Sequence, residues 1–363
     1  MRPTRRLRDL FILCMGCVAA LLSTPLMADD LRIGIIGLDT SHSEQFTLRL
    51  NDPANPNHIP GARVVAAFPG GSPDIEESKT RIEGFTATVR DKFGVRIVGS
   101  VAEACKDVDA VLLLSLEGRP RLEQMKEIIA AGKPVFMDKP VAASLRDAVE
   151  IYKLAAAAQV PVFSASAVRW YPGVLEVANA EQTPARSAIS YGPAHVLPHH
   201  PDLFFYGIHP TEALFTVMGT GCVSVARTTT ASASVVTGLW TGGRMGTLEA
   251  IHEGAMAYKL IRFGDKQVTE QKSDGDYTPM LREIVKFFQS KQPPVSPKQT
   301  LEIYAFMAAA EESKLRDGAR VTLREVMVKA DAPEAWLPED GTVQPKPEEP
   351  KSVEKGLPKP GGS

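Results

Sequence analysis

The sequence contains few cysteines, which limits disulfide and metal chemistry. Only four of its 363 residues are cysteine, and Cys14 and Cys17 lie in a predicted leader that is removed. Cys105 and Cys222 remain, far apart in the chain. They could form one disulfide in an oxidising compartment, but two buried free thiols are the interpretation that we favour. No metal-ligand spacing includes either cysteine, and we predict no metal site.

An excess of charge of one sign is also missing. The formal net charge is -2, and no basic run occurs beyond the extreme N-terminus. Proteins that bind nucleic acid usually carry a basic patch that neutralises phosphates. We therefore predict no nucleic-acid partner. With 44% hydrophobic and 23% charged residues, the chain is typical of a globular protein long enough for two hydrophobic cores.

Long apolar runs are absent except for one, from Leu10 to Leu26, which follows four arginines. This arrangement is typical of a secretory signal peptide over residues 1–28, with cleavage near Ala28. The run is short for a membrane span and no second run follows it. We therefore predict an exported protein, periplasmic or extracellular, without stable membrane insertion after cleavage. An uncleaved anchor is the alternative, and Thr4-Arg5-Arg6 matches a twin-arginine signal only weakly.

Two of the three glycines of the dinucleotide fingerprint are missing. An apolar strand from Arg32 to Gly37 is followed by a turn, and Ser41 and Glu44 have capping-box spacing, which predicts a helix that begins just after Ser41. Free N–H groups at such a helix start favour phosphate. In G-x-G-x-x-G the second and third glycines would be residues 39 and 42. The turn is either a phosphate site or the first βα unit of a sheet that binds no dinucleotide. Its candidate cofactor-binding residues are Gly37, Leu38, Asp39, Thr40, Ser41 and His42.

Strands and helices alternate over residues 29–166. This pattern predicts an α/β domain with a Rossmann-type, doubly wound parallel sheet. Side chains at the carboxyl ends of such strands face the ligand crevice. Ser115, Asp138 and Lys139 occupy such positions and are further candidates for cofactor binding. The second strand, which ends at Phe68, carries no acid at its tip for the ribose of NAD, so the choice between NAD and NADP stays open.

A second domain is predicted over residues 167–330. Small and β-branched residues alternate from Cys222 to Gly264 as in successive strands, and helical patterns occur before and after them. From Asp331 onward proline, lysine, glutamate and glycine dominate. This composition predicts a disordered tail over residues 331–363. The chain is therefore predicted to contain a leader, two domains and a tail.

Several segments resemble one known family. The opening strand and turn, the tripeptide Asp138-Lys139-Pro140, the segment Tyr206 to Glu212 and the run Glu283 to Leu323 are similar to those of the Gfo/Idh/MocA oxidoreductases, the family of glucose-fructose oxidoreductase and inositol dehydrogenase. The resemblance implies an α+β second domain with a largely antiparallel, open sheet. It also implies a carbohydrate-like substrate in the cleft between the domains and a homo-oligomer formed through the outer face of that sheet.

The resemblance also implies roles for site residues. Lys139 would hold and polarise the substrate oxygen, and His209 would exchange its proton. The family aspartate four residues before this histidine is replaced by Phe205. Glu212 lies one helical turn beyond His209 and is a further catalytic candidate, or an ordinary acid in a first helical turn. Two residues are substrate-binding candidates by position: Arg169 and Tyr206.

We therefore predict an exported, NAD- or NADP-dependent oxidoreductase that acts on a sugar, polyol or derivative. Free nucleotide is scarce outside the cytoplasm, so we expect the cofactor to be tightly bound. Two alternatives stay open. One is a lyase or glycosidase that retains its cofactor and oxidises the substrate transiently, and the other is a catalytically silent binding protein on the same fold. Lys139 and His209 favour an enzyme, whereas Asp39 and Phe205 favour the silent protein.

Overall fold

The structure, a computed structural model, describes residues 30–339. The predicted leader with Cys14 and Cys17, and residues 340–363 of the predicted tail, lie outside this range. The described chain forms two sheets with helices packed on both of them. The first is parallel and the second mixed but largely antiparallel, which confirms the predicted fold class. No helix within residues 30–339 is long and apolar enough to cross a membrane.

The first sheet has six parallel strands in the order β3-β2-β1-β4-β5-β6. Its strands β4 and β5 are short, apolar and fully buried, and β1 is buried over its last four residues, because helices cover both faces. The strand order reverses between β1 and β4, and ligands of such sheets bind at this reversal, beyond the carboxyl ends of the strands. The elements are β1 (Leu31–Ile36), α1 (Ser41–Asn51), β2 (Ala62–Phe68), α2 (Glu76–Phe93), β3 (Arg96–Ile97), α3 (Val101–Cys105), β4 (Ala110–Leu113), α4 (Arg121–Ala130), β5 (Val135–Met137), α5 (Leu145–Ala157) and β6 (Val162–Ser164).

The start of α1 differs by one residue from the prediction. Thr40, with extended backbone angles, is the N-cap, and its hydroxyl accepts a hydrogen bond of 3.4 Å from the N–H of His42. Ser41 is already the first helical residue. The predicted capping box between Ser41 and Glu44 is therefore wrong, because only a residue outside the helix can turn its hydroxyl back toward the first N–H groups.

The second sheet has seven strands in the order β12-β11-β7-β10-β9-β8-β13. Only the pair β7 and β10 is parallel among its described pairs. The helices α7 and α9 pack against one face. The elements are α6 (Pro172–Ala178), β7 (Ser187–Pro193), α7 (Ile208–Met218), β8 (Cys222–Thr229), β9 (Ala233–Trp240), β10 (Arg244–Ile251), β11 (Lys259–Phe263), β12 (Val268–Glu270), α8 (Thr278–Ser290), α9 (Pro297–Leu315), β13 (Val321–Thr322) and α10 (Leu323–Lys329).

One helix of the predicted second domain packs on the first sheet. The apolar face of α8, which includes Leu281, Ile284 and Phe288, is buried in the same core cluster as Phe46 and Phe163 of the first domain. This face has the helical spacing of an amphipathic helix, and the first sheet offers it an apolar surface to cover. After the second sheet is largely complete, the chain therefore returns to the first core.

The packed chain extends into the predicted tail. Glu334–Trp336 form a 3-10 turn, and Leu337 is buried against the same cluster that Trp336 contacts. The prediction of disorder from Asp331 is therefore wrong for this stretch, since two large apolar side chains stabilise it. The prediction for the cysteines is confirmed: Cys105 and Cys222 are both buried and free.

Candidate functional site

A cavity of about 210 Å³ lies at the reversal of the first sheet, where the second domain covers it. The start of α1, the end of β5 and the start of α7 all contribute to its wall. Seven of the predicted site residues are therefore brought together at one place. They are Thr40, Ser41, His42, Asp138, Lys139, Tyr206 and His209.

Lys139 follows β5 and reaches into the cavity beside two aromatic rings. Its Nζ lies 5.2 Å from the centre of the Phe205 ring and 5.0 Å from that of Tyr206. Cations are attracted to the faces of such rings. Burial lowers the pKa of Lys139, and the negative charge of Asp138 opposes this effect. Phe205 therefore supplies an aromatic wall for the ammonium at the position where the family resemblance implies a carboxylate.

His209 lies in the first turn of α7 and is held by a neutral group. Its Nδ1 is 2.6 Å from Oγ of Ser166, which follows β6. Burial, and next the positive charge of Lys139, hold the pKa of His209 well below its usual value. The imidazole is therefore neutral at physiological pH. A neutral imidazole can hold or accept a proton.

His42 forms a buried pair with Asp138. Its Nδ1 lies 2.5 Å from Oδ2 of the carboxylate. The imidazole stacks on Phe46, with 5.2 Å between ring centres, and meets the edge of Tyr277 at 4.6 Å. The other carboxylate oxygen accepts a hydrogen bond of 2.9 Å from the N–H of Lys139. These contacts fix the ring at the cavity wall, at the position of the third fingerprint glycine.

Arg169 and Glu212 do not reach the cavity. They bond to each other, with 2.5 Å between Nε and Oε1, and both are buried. Burial raises the pKa of Glu212, and the charge of Arg169 opposes this rise. The pair joins α7 to the 3-10 turn Ala167–Trp170, and neither side chain lines the cavity, so the structure does not support their predicted roles. Glu212 lies one helical turn beyond His209, as the sequence spacing predicts. Its side chain nevertheless contacts Arg169 and not the cavity.

The turn after β1 is held by contacts with α2 and with the loop after β4. Its predicted cofactor residues Gly37, Leu38 and Asp39 do not line the cavity. A Cβ on Gly37, whose φ is +95°, would lie 2.3 Å from the N atom of Ser115, so only glycine fits there. The carboxylate of Asp39 accepts hydrogen bonds from the N–H of Leu116 at 3.0 Å and from the hydroxyl of Ser78 at 2.7 Å. Burial raises the pKa of Asp39, and the bond from Ser78 opposes this rise.

Ser115 is also turned away from the cavity. It is buried, and its hydroxyl donates to Oε1 of Gln124 at 2.9 Å, within the first domain. The prediction that it faces a cofactor is therefore not supported by its contacts. Ser115 lies two residues beyond the end of β4, and its hydroxyl fixes the following helix α4.

The loop after β2 crosses the end of β1 and joins the loop after β4. The hydroxyl of Ser72 donates to Oε1 of Glu117 at 2.7 Å. Arg119 forms two bonds to Asp74, at 2.7 and 2.9 Å. Burial disfavours the charge on Glu117, but the hydrogen bonds that it accepts lower its pKa to about 2. We call these contacts between residues 69–78 and 115–119 the crevice closure.

An apolar cluster packs against the crevice closure. Tyr206 contacts its buried members, which come from both domains and are Ile75, Leu116, Leu197 and Phe205. Next to them, Nε2 of His200 accepts a hydrogen bond of 3.1 Å from the N–H of Gly118. Residues 195–206 of the second domain therefore cover the same crevice that the two loops of the first domain bridge.

An extended nicotinamide dinucleotide, the cofactor of the family that the sequence resembles, does not fit while these loops are bonded to each other. In a doubly wound sheet it would cross the strand reversal, with its adenosine half between the loops that follow β2 and β4. Here these loops bond directly to each other, and Asp39 stands where a glycine would let the pyrophosphate approach. Only the half of the crevice at Ser41, Asp138 and Lys139 is open.

Five residues of the cavity wall that carry polar groups on their side chains were not predicted from the sequence. Three are tyrosines, and the other two form an ion pair on α2; they are Tyr171, Tyr258, Tyr277, Glu77 and Arg81. They come from distant parts of the chain, so no local pattern marks them. Within residues 30–339 no group of three or more His, Cys, Asp or Glu side chains could hold a metal ion.

Comparison with known proteins gives one family match. Residues 31–166 match the family model described as "Oxidoreductase family, NAD-binding Rossmann fold", of the Gfo/Idh/MocA proteins. Among curated proteins, none matches the chain.

Solved structures extend the likeness over both domains. A probable dehydrogenase from Thermotoga maritima is 19% identical with a TM-score of 0.67, over 82% of this chain and 100% of that one. A myo-inositol dehydrogenase from Lactobacillus casei, solved with NAD(H) and myo-inositol, is 15% identical with a TM-score of 0.65, over 81% and 96%. An oxidoreductase from Agrobacterium radiobacter, solved with NAD+, L-tartaric acid and magnesium, is 15% identical with a TM-score of 0.65, over 81% and 98%. At these identities the likeness establishes the fold.

Proposed function

Because its first domain belongs to the NAD-binding Rossmann-fold family of Gfo/Idh/MocA oxidoreductases, we propose that this protein is an exported oxidoreductase acting on a sugar, a polyol or a related compound. The observation that carries the proposal is the shared position of Lys139 and His209. They come from different domains, yet both line one cavity. A substrate bound there would contact both side chains at once.

The two side chains supply what interconversion of an alcohol and a carbonyl requires. One group must hold the oxygen as negative charge develops on it, and another must take or share the hydroxyl proton. The ammonium of Lys139, fixed by Phe205 and Tyr206, suits the first task. The neutral imidazole of His209, oriented by Ser166, can accept a hydrogen bond from the same hydroxyl.

The size and lining of the cavity support a small polyhydroxylated substrate. Its volume of about 210 Å³ is below the roughly 300–1,000 Å³ of pockets that enclose drug-sized ligands. Four tyrosine side chains, together with imidazole, ammonium and carboxylate groups, surround it. Such a wall offers hydroxyl partners in several directions. The solved relative from Lactobacillus casei was crystallised with myo-inositol, and we propose the same class of ligand for this chain.

The proposed cofactor is NAD or NADP, loaded before export and tightly retained. Since the crevice closure fills the adenosine half of the crevice, binding requires residues 69–78 and 115–119 to separate. The test is a screen of sugars and polyols with NAD+ and NADP+, with mass spectrometry of nucleotide released from denatured native protein. Lys139→Met and His209→Asn should each abolish turnover. Full activity in either variant would remove that residue from the mechanism.

The crevice closure favours a second candidate, a polyol-binding protein without redox activity. In that case the chain would bind myo-inositol or a related polyol in calorimetry but would neither retain nor bind a dinucleotide. Turnover with any polyol would exclude this candidate. Binding of both nucleotide and polyol without turnover would instead favour the lyase or glycosidase alternative, which glycoside substrates would test.

Self-association through the second sheet also stays a proposal. Val235 on β9 and Met245 on β10 expose apolar side chains on the face opposite to the buried one. A second copy of the chain would cover this face. We expect light scattering to give a multiple of the monomer mass, and the double variant Val235→Glu, Met245→Glu to be monomeric. A monomeric wild-type protein would contradict the proposal.

A further inference from the structure

The cavity contains two imidazoles, and only one of them is paired with a carboxylate. His209 bonds through Nδ1 to the neutral hydroxyl of Ser166, whereas His42 bonds through Nδ1 to the carboxylate of Asp138. Both rings line the same cavity as Lys139. The resemblance to the family implied His209 as the proton acceptor. The family has a carboxylate four residues before this histidine, and this chain has Phe205 at that position.

The environment of His209 disfavours a second positive charge. The ring is buried, lies close enough to Lys139 for its charge to lower the pKa of His209, and bonds to no carboxylate within residues 30–339. Accepting a proton would place an imidazolium beside the ammonium without a counter-charge. His209 is therefore suited to a neutral hydrogen bond with the substrate oxygen.

The ring of His42, in contrast, bonds to a carboxylate, that of Asp138. Asp138 is buried, which disfavours its charge, but its contact with His42 and the positive charges of Lys139 and Arg121 outweigh burial and hold the pKa of Asp138 below its usual value. An ionised carboxylate at 2.5 Å fixes the proton on Nδ1 and leaves Nε2 as the basic atom. No other group within residues 30–339 bonds to Nε2. The carboxylate would also stabilise the imidazolium once Nε2 is protonated.

From this juxtaposition we propose that the His42–Asp138 pair, not His209, is the proton acceptor of the site. The inference rests on the proposed function. A substrate hydroxyl bound between Lys139 and the two imidazoles loses its proton: the O–H bond breaks and an N–H bond forms at Nε2 of His42. The electron pair stays on the substrate oxygen, where the ammonium of Lys139 and the hydrogen bond from His209 stabilise the negative charge. Asp138 acts as a positioning residue for His42. The third fingerprint glycine has thus been replaced by the catalytic base.

The first test measures turnover with myo-inositol, or with the best substrate of the screen. His42→Asn keeps a side-chain amide near Asp138 but lacks a basic nitrogen. Its kcat should fall on the order of 10²- to 10⁴-fold, because that is the usual contribution of a positioned general base, while KM changes little. His58→Asn, outside the cavity, is the control and should retain the wild-type kcat. Wild-type kcat in His42→Asn together with loss of kcat in His209→Asn would overturn the proposal and leave the proposed function intact.

The second test needs no turnover. In the full-length protein labelled with 15N-histidine, NMR should show His42 with its proton on Nδ1 and a bare Nε2, and Asp138→Asn should abolish this signature. A proton on Nε2 of His42 in the neutral ring would refute the assignment. If the wild type converts no sugar or polyol, the proposed function fails, and the tautomer still decides whether His42 is arranged as a base.

Discussion

Loosening the crevice closure should strengthen dinucleotide binding. The double variant Ser72→Ala, Asp74→Ala removes one hydrogen bond to Glu117 and the ion pair to Arg119, which are two polar side-chain links between the loops. Glu117 keeps the hydrogen bonds from Arg119, so no buried carboxylate loses all its partners. Because the nucleotide binds only the open form, its apparent affinity is reduced by the fraction of molecules that are closed.

The magnitude follows from the two contacts. A hydrogen bond to a buried charged group contributes about 1.5–3 kcal/mol, and the solvent-exposed ion pair of Asp74 adds little to this. If the wild type is mostly closed, removing about 2 kcal/mol from the closed form should raise the affinity for NAD+ roughly 30-fold, since about 1.4 kcal/mol corresponds to a factor of ten.

Isothermal titration calorimetry with NAD+ and with NADP+ measures this change. Asp91→Ala, which removes an exposed ion pair with Arg90 at the far end of α2, is a matched control and should bind like the wild type. Thermal unfolding should show that both variants are folded. An unchanged or weaker affinity in the double variant would refute the reasoning and mean that the loops do not control access.

Three further outcomes are expected. Burial raises the pKa of Glu302 to about 7, so the free energy of unfolding should fall by about 3 kcal/mol as pH rises from about 4.5 to about 7. Urea unfolding of the wild type and of Glu302→Gln at both pH values measures this fall, and the same pH dependence in both proteins would contradict the prediction. Arg169→Met removes the charge partner of the buried Glu212 and should lower stability by about 3–5 kcal/mol. The double variant Arg169→Met, Glu212→Leu should recover most of this loss in the same unfolding assay, and no recovery would mean that the two residues do not act as a pair. Gly37→Ala should be strongly destabilised or insoluble, because its Cβ would collide with the backbone of Ser115; a wild-type melting temperature would show that the turn can move.

The class of fold could be predicted from the sequence because it depends on local patterns. Short β-branched runs that alternate with amphipathic helices can satisfy their backbone and bury their apolar faces only in a parallel sheet covered on both sides. The same reasoning placed Lys139 at a strand end beside the crevice. It failed for the first helix by one residue, since Thr40 and Ser41 are both good caps and only the backbone geometry chose between them.

The tertiary structure alone decided which of these residues share a site. Glu212 has the helical spacing from His209 that a shared site requires, but it forms a buried ion pair with Arg169. His42 and Asp138 are 96 residues apart, and nothing in either segment indicates that they meet. The crevice closure also joins loops whose sequences are compatible with nucleotide binding. Periodicity determines which face of an element is buried, whereas the pairing of polar groups depends on distances between elements that are set only when both sheets pack together.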